Sequence, residues 1–183
     1  MTSLDWPSPV PKLTDGSLTL REWDARDAGA VFQACQDADT QRWMDIPVPY
    51  LREHADHFVG EQSREQWSSQ KGAPFAISCA DDDRVLGSCG LVGVNAPHLV
   101  AEVIYAVAPQ ARGRKVAQRA VSLLCEWAFA DLGLARLEFY IEPANCGSRA
   151  VAERLNCQYE GILRSKSLIQ GIQRDMALYA LLK

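Results

Sequence analysis

The stretch Val107-Ala-Pro-Gln-Ala-Arg-Gly-Arg-Lys-Val-Ala117 holds the densest basic cluster of the chain, built around one glycine. Arg112, Arg114 and Lys115 lie together, and Arg119 follows a turn later. Strand-like alternation precedes the stretch and helical spacing follows it, so it joins a strand to a helix. The first N–H groups of a helix have no partner inside the helix, and the helix dipole favours an anion there. Gly113 permits positive φ or a close backbone approach, and Ala117 keeps the first turn slim. Together these residues describe a cradle for a pyrophosphate. They also fit a basic turn that only opens a helix, because a short glycine motif is a weak signal.

The elements around this cradle are legible from periodicity. Residues 1–16 read as a Pro-containing arm, and Leu18, Leu20, Glu22 and Trp23 as a first strand. Asp24 and Asp27 suit a helix start, with Ala28, Val31, Phe32 and Cys35 at helical spacing. Pro47 and Pro49 make Trp43 to Tyr50 a loop, and a second helix is expected from Leu51 to about Ser68. Three strands follow, over 73–80, 85–94 and 99–107, and their short turns make them antiparallel. Val116, Ala120, Leu123, Leu124, Trp127 and Ala128 mark the helix after the cradle, which Gly133 stops. Leu137, Phe139 and Ile141 alternate as a strand, and Asn145 can N-cap a short helix carrying Val151, Ala152 and Leu155. Two last strands flank Gln170-Gly171. The expected architecture is one α/β (α+β) domain over residues 1–183. Its sheet is mixed but mostly antiparallel, with about seven strands and about four flanking helices.

Bulk properties exclude several functions. The chain has 183 residues, 48% hydrophobic and 23% charged, which suits one packed core. Its net charge of −4 argues against nucleic acid as a partner, since phosphate backbones call for an excess of Lys and Arg. No apolar run is long enough to span a membrane. Pro7, Pro9 and Pro11 replace any apolar signal-peptide core, so a cytoplasmic location is expected. None of the six cysteines forms a C-x-x-C pair or has a histidine at ligand spacing, so free thiols and no metal site are expected.

The 107–117 stretch resembles the acyl-CoA-binding motif of the GNAT acetyltransferases, Q/R-x-x-G-x-G/A. Gln110 and Gly113 match one frame, and Arg112 and Ala117 match the overlapping one; Lys115 stands where the family usually has a small residue. The order of elements resembles the family along almost the whole chain. More narrowly, three motifs resemble the RimJ/RimL-like ribosomal-protein N-terminal acetyltransferases. These are Ala101-Glu-Val-Ile-Tyr105, Asn145-Cys-Gly-Ser148 and Glu160-Gly-Ile-Leu-Arg164. The resemblance implies the GNAT fold and acetyl-CoA, or another acyl-CoA, as co-substrate. It implies a cofactor site made by the backbone of Tyr105, Ala106 and Val107, the loop Gln110, Arg112, Gly113, Arg114, Lys115, Val116 and Ala117, and the side chains of Asn145 and Ser148. A homodimer is open to it, although no feature of the sequence identifies an interface.

Acyl transfer from a thioester needs a neutral amine, a polarised carbonyl and a protonated leaving thiolate. An α-amine of pKa about 7.8 is roughly a third neutral at pH 7.5, whereas a lysine amine of pKa about 10.4 is only about 0.1% neutral. The resemblance makes Glu102 the candidate base and Ser148 the candidate proton donor to the thiolate. Against these stand a solvated strand glutamate and a serine in an ordinary capped turn. Ser167 occupies the place where some relatives hold a carboxylate base, Glu142 is a weaker substitute, and Tyr105 and Tyr140 are alternative donors. Cys146 lies near the expected thioester without a histidine to activate it. Trp43, Met44, Asp45, Ile46 and Tyr50 are expected to line the acceptor pocket, with Asp45 meeting the amine. The expected activity is acetyl transfer to a protein N-terminal α-amine. A small-molecule amine (antibiotic or polyamine) and a non-catalytic CoA-binding regulatory module remain open alternatives.

Overall fold

A computed structural model describes residues 4–183. The strands are β1 (Leu13–Thr14), β2 (Leu18–Arg21), β3 (Ala73–Cys79), β4 (Val85–Asn95), β5 (Val100–Val107), β6 (Arg136–Ile141), β7 (Gln158–Ile169) and β8 (Ile172–Leu182). The helices are α1 (Ala28–Ala34), α2 (Ala38–Trp43), α3 (Arg52–His57), α4 (Ser63–Ser68), α5 (Val116–Ala130) and α6 (Cys146–Arg154). All strands join one sheet in the order β1-β2-β3-β4-β5-β6-β8-β7. The expected mixed, mostly antiparallel sheet is present, with β5 and β6 the one parallel pair among the described residues. Among the described residues it has eight strands, because Leu13 and Thr14 pair with Leu20 and Thr19.

Two differences from the sequence expectation matter for the site. The helix expected from Leu51 to Ser68 is interrupted by a π-helical turn over Phe58–Gln62, so it runs as α3 and α4. An additional helix, α2, takes in Trp43, the first residue of the expected Trp43 to Tyr50 loop. It has little apolar periodicity of its own, and Asp37 caps it by accepting from the Thr40 N–H at 2.9 Å. Of the N-terminal arm, residues 1–3 lie outside the described residues. Leu4 is buried, and Trp6 packs edge-on against Trp67 with centroids 5.4 Å apart.

Strand alternation sorts the core into two faces. On β3, Phe75 and Ile77 point to the large cluster formed with α5, while Ala76 points to a smaller one under α1 and α3. The α5 stripe Val116, Ala120, Val121, Leu124, Cys125, Trp127 and Ala128 is buried on the large cluster, where Trp127 stands against Phe75 at 5.5 Å. This burial fixes the start of α5 relative to the end of β5. Gly87 then lets β4 approach that end closely: a Cβ at this position would lie 2.2 Å from the Ala106 carbonyl oxygen.

Candidate active site

The sheet is forked. β5 and β6 pair through Val100↔Arg136, Ala101↔Leu137 and Glu102↔Glu138, and the pairing stops there. Beyond it, β5 stays with β4 up to Gly87↔Val107, and β6 stays with β8 up to Ile141↔Ala177. The strands diverge around a cleft of about 810 Å³. Val103 to Val107 line one wall and Phe139 to Glu142 the other. β5 has lost its partner on the cleft side, so its N–H and C=O groups there are open to an extended guest.

Glu102 sits at the base of the fork. Its carboxylate has no hydrogen bond or ion pair among the described residues. Burial raises its pKa; Glu138 raises it further, while Lys166 opposes the rise. Two other carboxylates nearby are paired. Glu138 accepts from Arg136 Nε at 2.7 Å and from the Tyr140 hydroxyl at 2.5 Å. Glu142 accepts from both terminal nitrogens of Arg42 at 3.0 and 3.1 Å. Asp45 only meets the Gln170 N–H, at 3.5 Å.

Across the cleft, α6 presents Ser148. Asn145 caps this helix by accepting from the Ser148 N–H at 3.0 Å. The Ser148 Oγ lies 2.7 Å from the Tyr105 hydroxyl, which also donates to the Ser148 carbonyl at 3.2 Å. Burial pushes the Tyr105 phenol up to about 12. Cys146 is exposed and lines the same cleft.

The expected phosphate cradle lies beyond the end of β5. Gly113 and Lys115 both have positive φ, 74° and 58°. The α5 ladder starts when the Arg119 N–H donates to the Lys115 carbonyl at 3.1 Å, so the Val116, Ala117 and Gln118 N–H groups precede it. Arg114 and Lys115 are exposed, and Gln110 is exposed on the preceding short turn. The Val116 side chain is buried. The other two cations are engaged. Arg119 holds Asp15 at 2.6 and 2.7 Å. Arg112 donates to Val107 O at 3.2 Å, Asp37 at 2.5 Å, Asp39 at 3.3 Å and Thr40 Oγ at 3.1 Å.

Of the expected acceptor wall, Trp43, Met44 and Asp45 line the cleft. Ile46 and Tyr50 do not. Both pack into the smaller core with Trp23 and Ala28, Tyr50 being only 7% exposed. The Pro47 and Pro49 loop thus turns its second half inward. Sequence reasoning missed Ile104, Leu168 and Met176, which also line the cleft. The Glu138–Tyr140 pair was missed too. The alternation of Leu137, Phe139 and Ile141 could have found it, because it puts Glu138 and Tyr140 on the face that Glu102 occupies.

A sheet forked around a cleft, with a basic glycine loop opening the crossover helix, defines an acyltransferase type of α/β fold. Residues 17–158 match the acetyltransferase (GNAT) domain, and the chain belongs to that family. It is an N-acetyltransferase, and it is similar to other members along most of its length. The N-acetyltransferase p20 of Bacillus licheniformis, itself uncharacterized, is 29% identical over 169 residues, 91% of this chain and 93% of that protein. The spermidine N(1)-acetyltransferase of Escherichia coli (strain K12) is 26% identical over 163 residues, 87% of this chain and 82% of that protein. RimL, a ribosomal L7/L12 α-N-protein acetyltransferase solved with coenzyme A, superposes with a TM-score of 0.82 at 20% identity. That match covers 94% of this chain and 97% of RimL.

Proposed function

We propose that this enzyme moves an acetyl group from acetyl-CoA to a protein N-terminal α-amine, by direct attack of the amine on the thioester. The observation that carries this reading is the unpaired Glu102 at the base of the fork, which lines the same cleft as the Tyr105–Ser148 pair. The pantetheine arm adds to the open side of β5 as an extra strand. The pyrophosphate meets the free N–H groups of α5, with the Arg114 and Lys115 charges beside it. Glu102 takes the proton from the ammonium group, directly or through a water. The neutral amine attacks the thioester carbonyl; the tetrahedral intermediate expels the CoA thiolate while its nitrogen loses its second proton, which is relayed through Ser148 to the thiolate sulfur and leaves amide and free CoA thiol. Either hydroxyl can donate in the 2.7 Å Tyr105–Ser148 contact; with Tyr105 turned to donate to Ser148 Oγ, the Ser148 proton is free for the thiolate sulfur. Glu102 is half-buried and its pKa is raised, which makes it a better base than a solvated carboxylate, and an α-amine asks less of that base than a lysine amine does.

Charge balance favours a peptide over a polyamine. A polyamine brings several cations and calls for several free carboxylates. Here Glu138 and Glu142 already have arginine partners, so Glu102 and Asp45 remain for one ammonium group. Apolar Ile104 and Leu168, 40% and 57% exposed, rim the cleft and suit the side chains after a protein N-terminus. The similarity to a spermidine acetyltransferase makes the polyamine the competitor to test. Thiol release from acetyl-CoA should be measured with N-terminal peptides, their N-blocked lysine-containing forms, and spermidine. Turnover of the free N-termini alone is expected. Preference for spermidine would replace the acceptor, and no turnover with any amine would favour a CoA-binding module.

A further inference from the structure

The motif leads one to expect Arg112 at the cofactor's phosphates, but its side chain points elsewhere. We infer that Arg112 is a positioning residue for the acceptor, tying the loop that opens α5 to the helix that carries the acceptor wall. This rests on the acceptor side of the cleft proposed above.

Four contacts define the tie. Arg112 Nε donates to the carbonyl of Val107, the last residue of β5, at 3.2 Å. Its terminal nitrogens reach Asp37, Asp39 and Thr40 Oγ. Asp37 is held in place independently, because the same Oδ2 caps α2 by accepting from the Thr40 N–H and hydroxyl at 2.9 and 3.1 Å. Arg112 holds the Asp37 carboxyl below its ordinary range. One guanidinium thus fixes the end of β5 to the N-terminus of α2.

The helix needs that tie. Six residues cannot sustain a helix alone. Its far end is held by Arg42 on Glu142 and by Gln170 Nε2 donating to Gln41 O at 2.7 Å. Immediately after these contacts come Trp43, Met44 and Asp45, the acceptor wall. Arg112 therefore sets where that wall stands relative to β5, and hence relative to the thioester. A lysine cannot replace it, because one ammonium group cannot span Val107 O and both carboxylates.

The test compares Arg112→Ala, Arg112→Lys and Asp37→Asn with the wild-type enzyme. Asparagine still caps a helix, so Asp37→Asn removes the charge partner and keeps the cap. Three quantities are read: the Kd for acetyl-CoA by calorimetry, the KM for an N-terminal peptide, and hydrogen exchange at the Gln41 and Met44 amides. Those amides donate to Asp37 O and Thr40 O and report on α2 alone. Each variant should raise the peptide KM about tenfold, leave the acetyl-CoA Kd within about twofold, and speed exchange in α2 but not in α5. The Arg112→Ala/Asp37→Asn double variant should be no worse than either single one. An acetyl-CoA Kd weakened tenfold or more would overturn the inference and make Arg112 a phosphate ligand. Unchanged α2 exchange in Arg112→Ala would also overturn it. If the wild-type enzyme does not acetylate the peptide, the acceptor reading falls by itself, and the Kd and exchange readings still decide the role of Arg112.

Discussion

The Tyr105 hydroxyl stands 2.7 Å from Ser148 Oγ and so joins β5 to the first turn of α6 across the cleft. The tyrosine comes from a strand and the serine from a capped helix turn, so two elements must be in register for the pair to form. A pair of this kind acts as a unit. Ser148→Ala should lower kcat at least tenfold, the equivalent of about 1.4 kcal/mol. Tyr105→Phe should lower it less, because Ser148 keeps its own proton. The double variant should resemble Ser148→Ala alone, since the tyrosine acts through the serine. Single-turnover rates of the three variants check this, and additive losses would separate the two hydroxyls.

Glu102 gives a prediction in pH. Burial raises its pKa, so the acidic limb of kcat/KM should lie above the ordinary carboxylate range, with activity rising as Glu102 ionises. Glu102→Gln should lower kcat by about 10²- to 10⁴-fold and flatten that limb. The linkage has a definite sign. A carboxyl whose folded pKa is raised binds its proton more tightly in the folded state, so it subtracts stability once pH passes its unfolded pKa and climbs towards the folded one. The Gln variant should therefore melt no lower than the wild-type protein at neutral pH. Melting curves and a pH–rate profile on the same samples test both statements. A Gln variant with unchanged kcat and limb would move the base elsewhere.

How much of this was legible in the sequence follows from the range of each interaction. The β3–β5 meander, α5 and the Asn145 cap were readable because alternation, helical spacing and capping act within a few residues. Glu102, Tyr105 and Ser148 were picked out through motifs, and the structure brings all three to one cleft. Helix α2 was not readable: Ala-Asp-Thr-Gln-Arg-Trp has no apolar stripe, and its supports, Arg112, Glu142 and Gln170, are distant in the chain. The same distance hid the destination of Arg112. Trp43 closes α2 and Tyr50 ends the loop that follows it, yet they go to different places, and only packing decides which aromatic faces the cleft.

Lys115 joins strain to function. Its φ of 58° lies in the left-handed region, which costs a residue with a Cβ about 1 kcal/mol. Lys115→Gly should relieve much of this and raise Tm by a few degrees, about 2–4 °C per kcal/mol at this size. The same change removes a cation beside the free N–H groups of α5. Acetyl-CoA should then bind a few-fold more weakly, and the difference should shrink at high salt. Opposite signs in Tm and affinity would mark Lys115 as a phosphate contact kept at a cost in stability. A rise in both would make it only a strained turn residue.

Glycine-to-alanine changes at two sites should differ in sign because their surroundings differ. At Gly29, within α1, an added Cβ meets nothing within 4 Å. Gly29→Ala should stabilise by about 0.5–1 kcal/mol through helix propensity. At Gly87 the added Cβ would lie 2.2 Å from Ala106 O and 3.0 Å from Val107 Cα. Both are backbone atoms, so no side chain can rotate away, and β4 must part from β5. The cost should reach about 2 kcal/mol or more. The shift falls on Ala106 and Val107, which pair with β4 on one side and line the cleft on the other, where β5 has no partner strand. Gly87→Ala should therefore weaken acetyl-CoA binding at least tenfold as well as lower Tm. Calorimetry below the transition separates the two effects, because a purely global destabilisation leaves the Kd of the folded fraction unchanged. An unchanged Kd would show that β5 recovers its position at the cleft, and that the close approach at Gly87 serves stability alone.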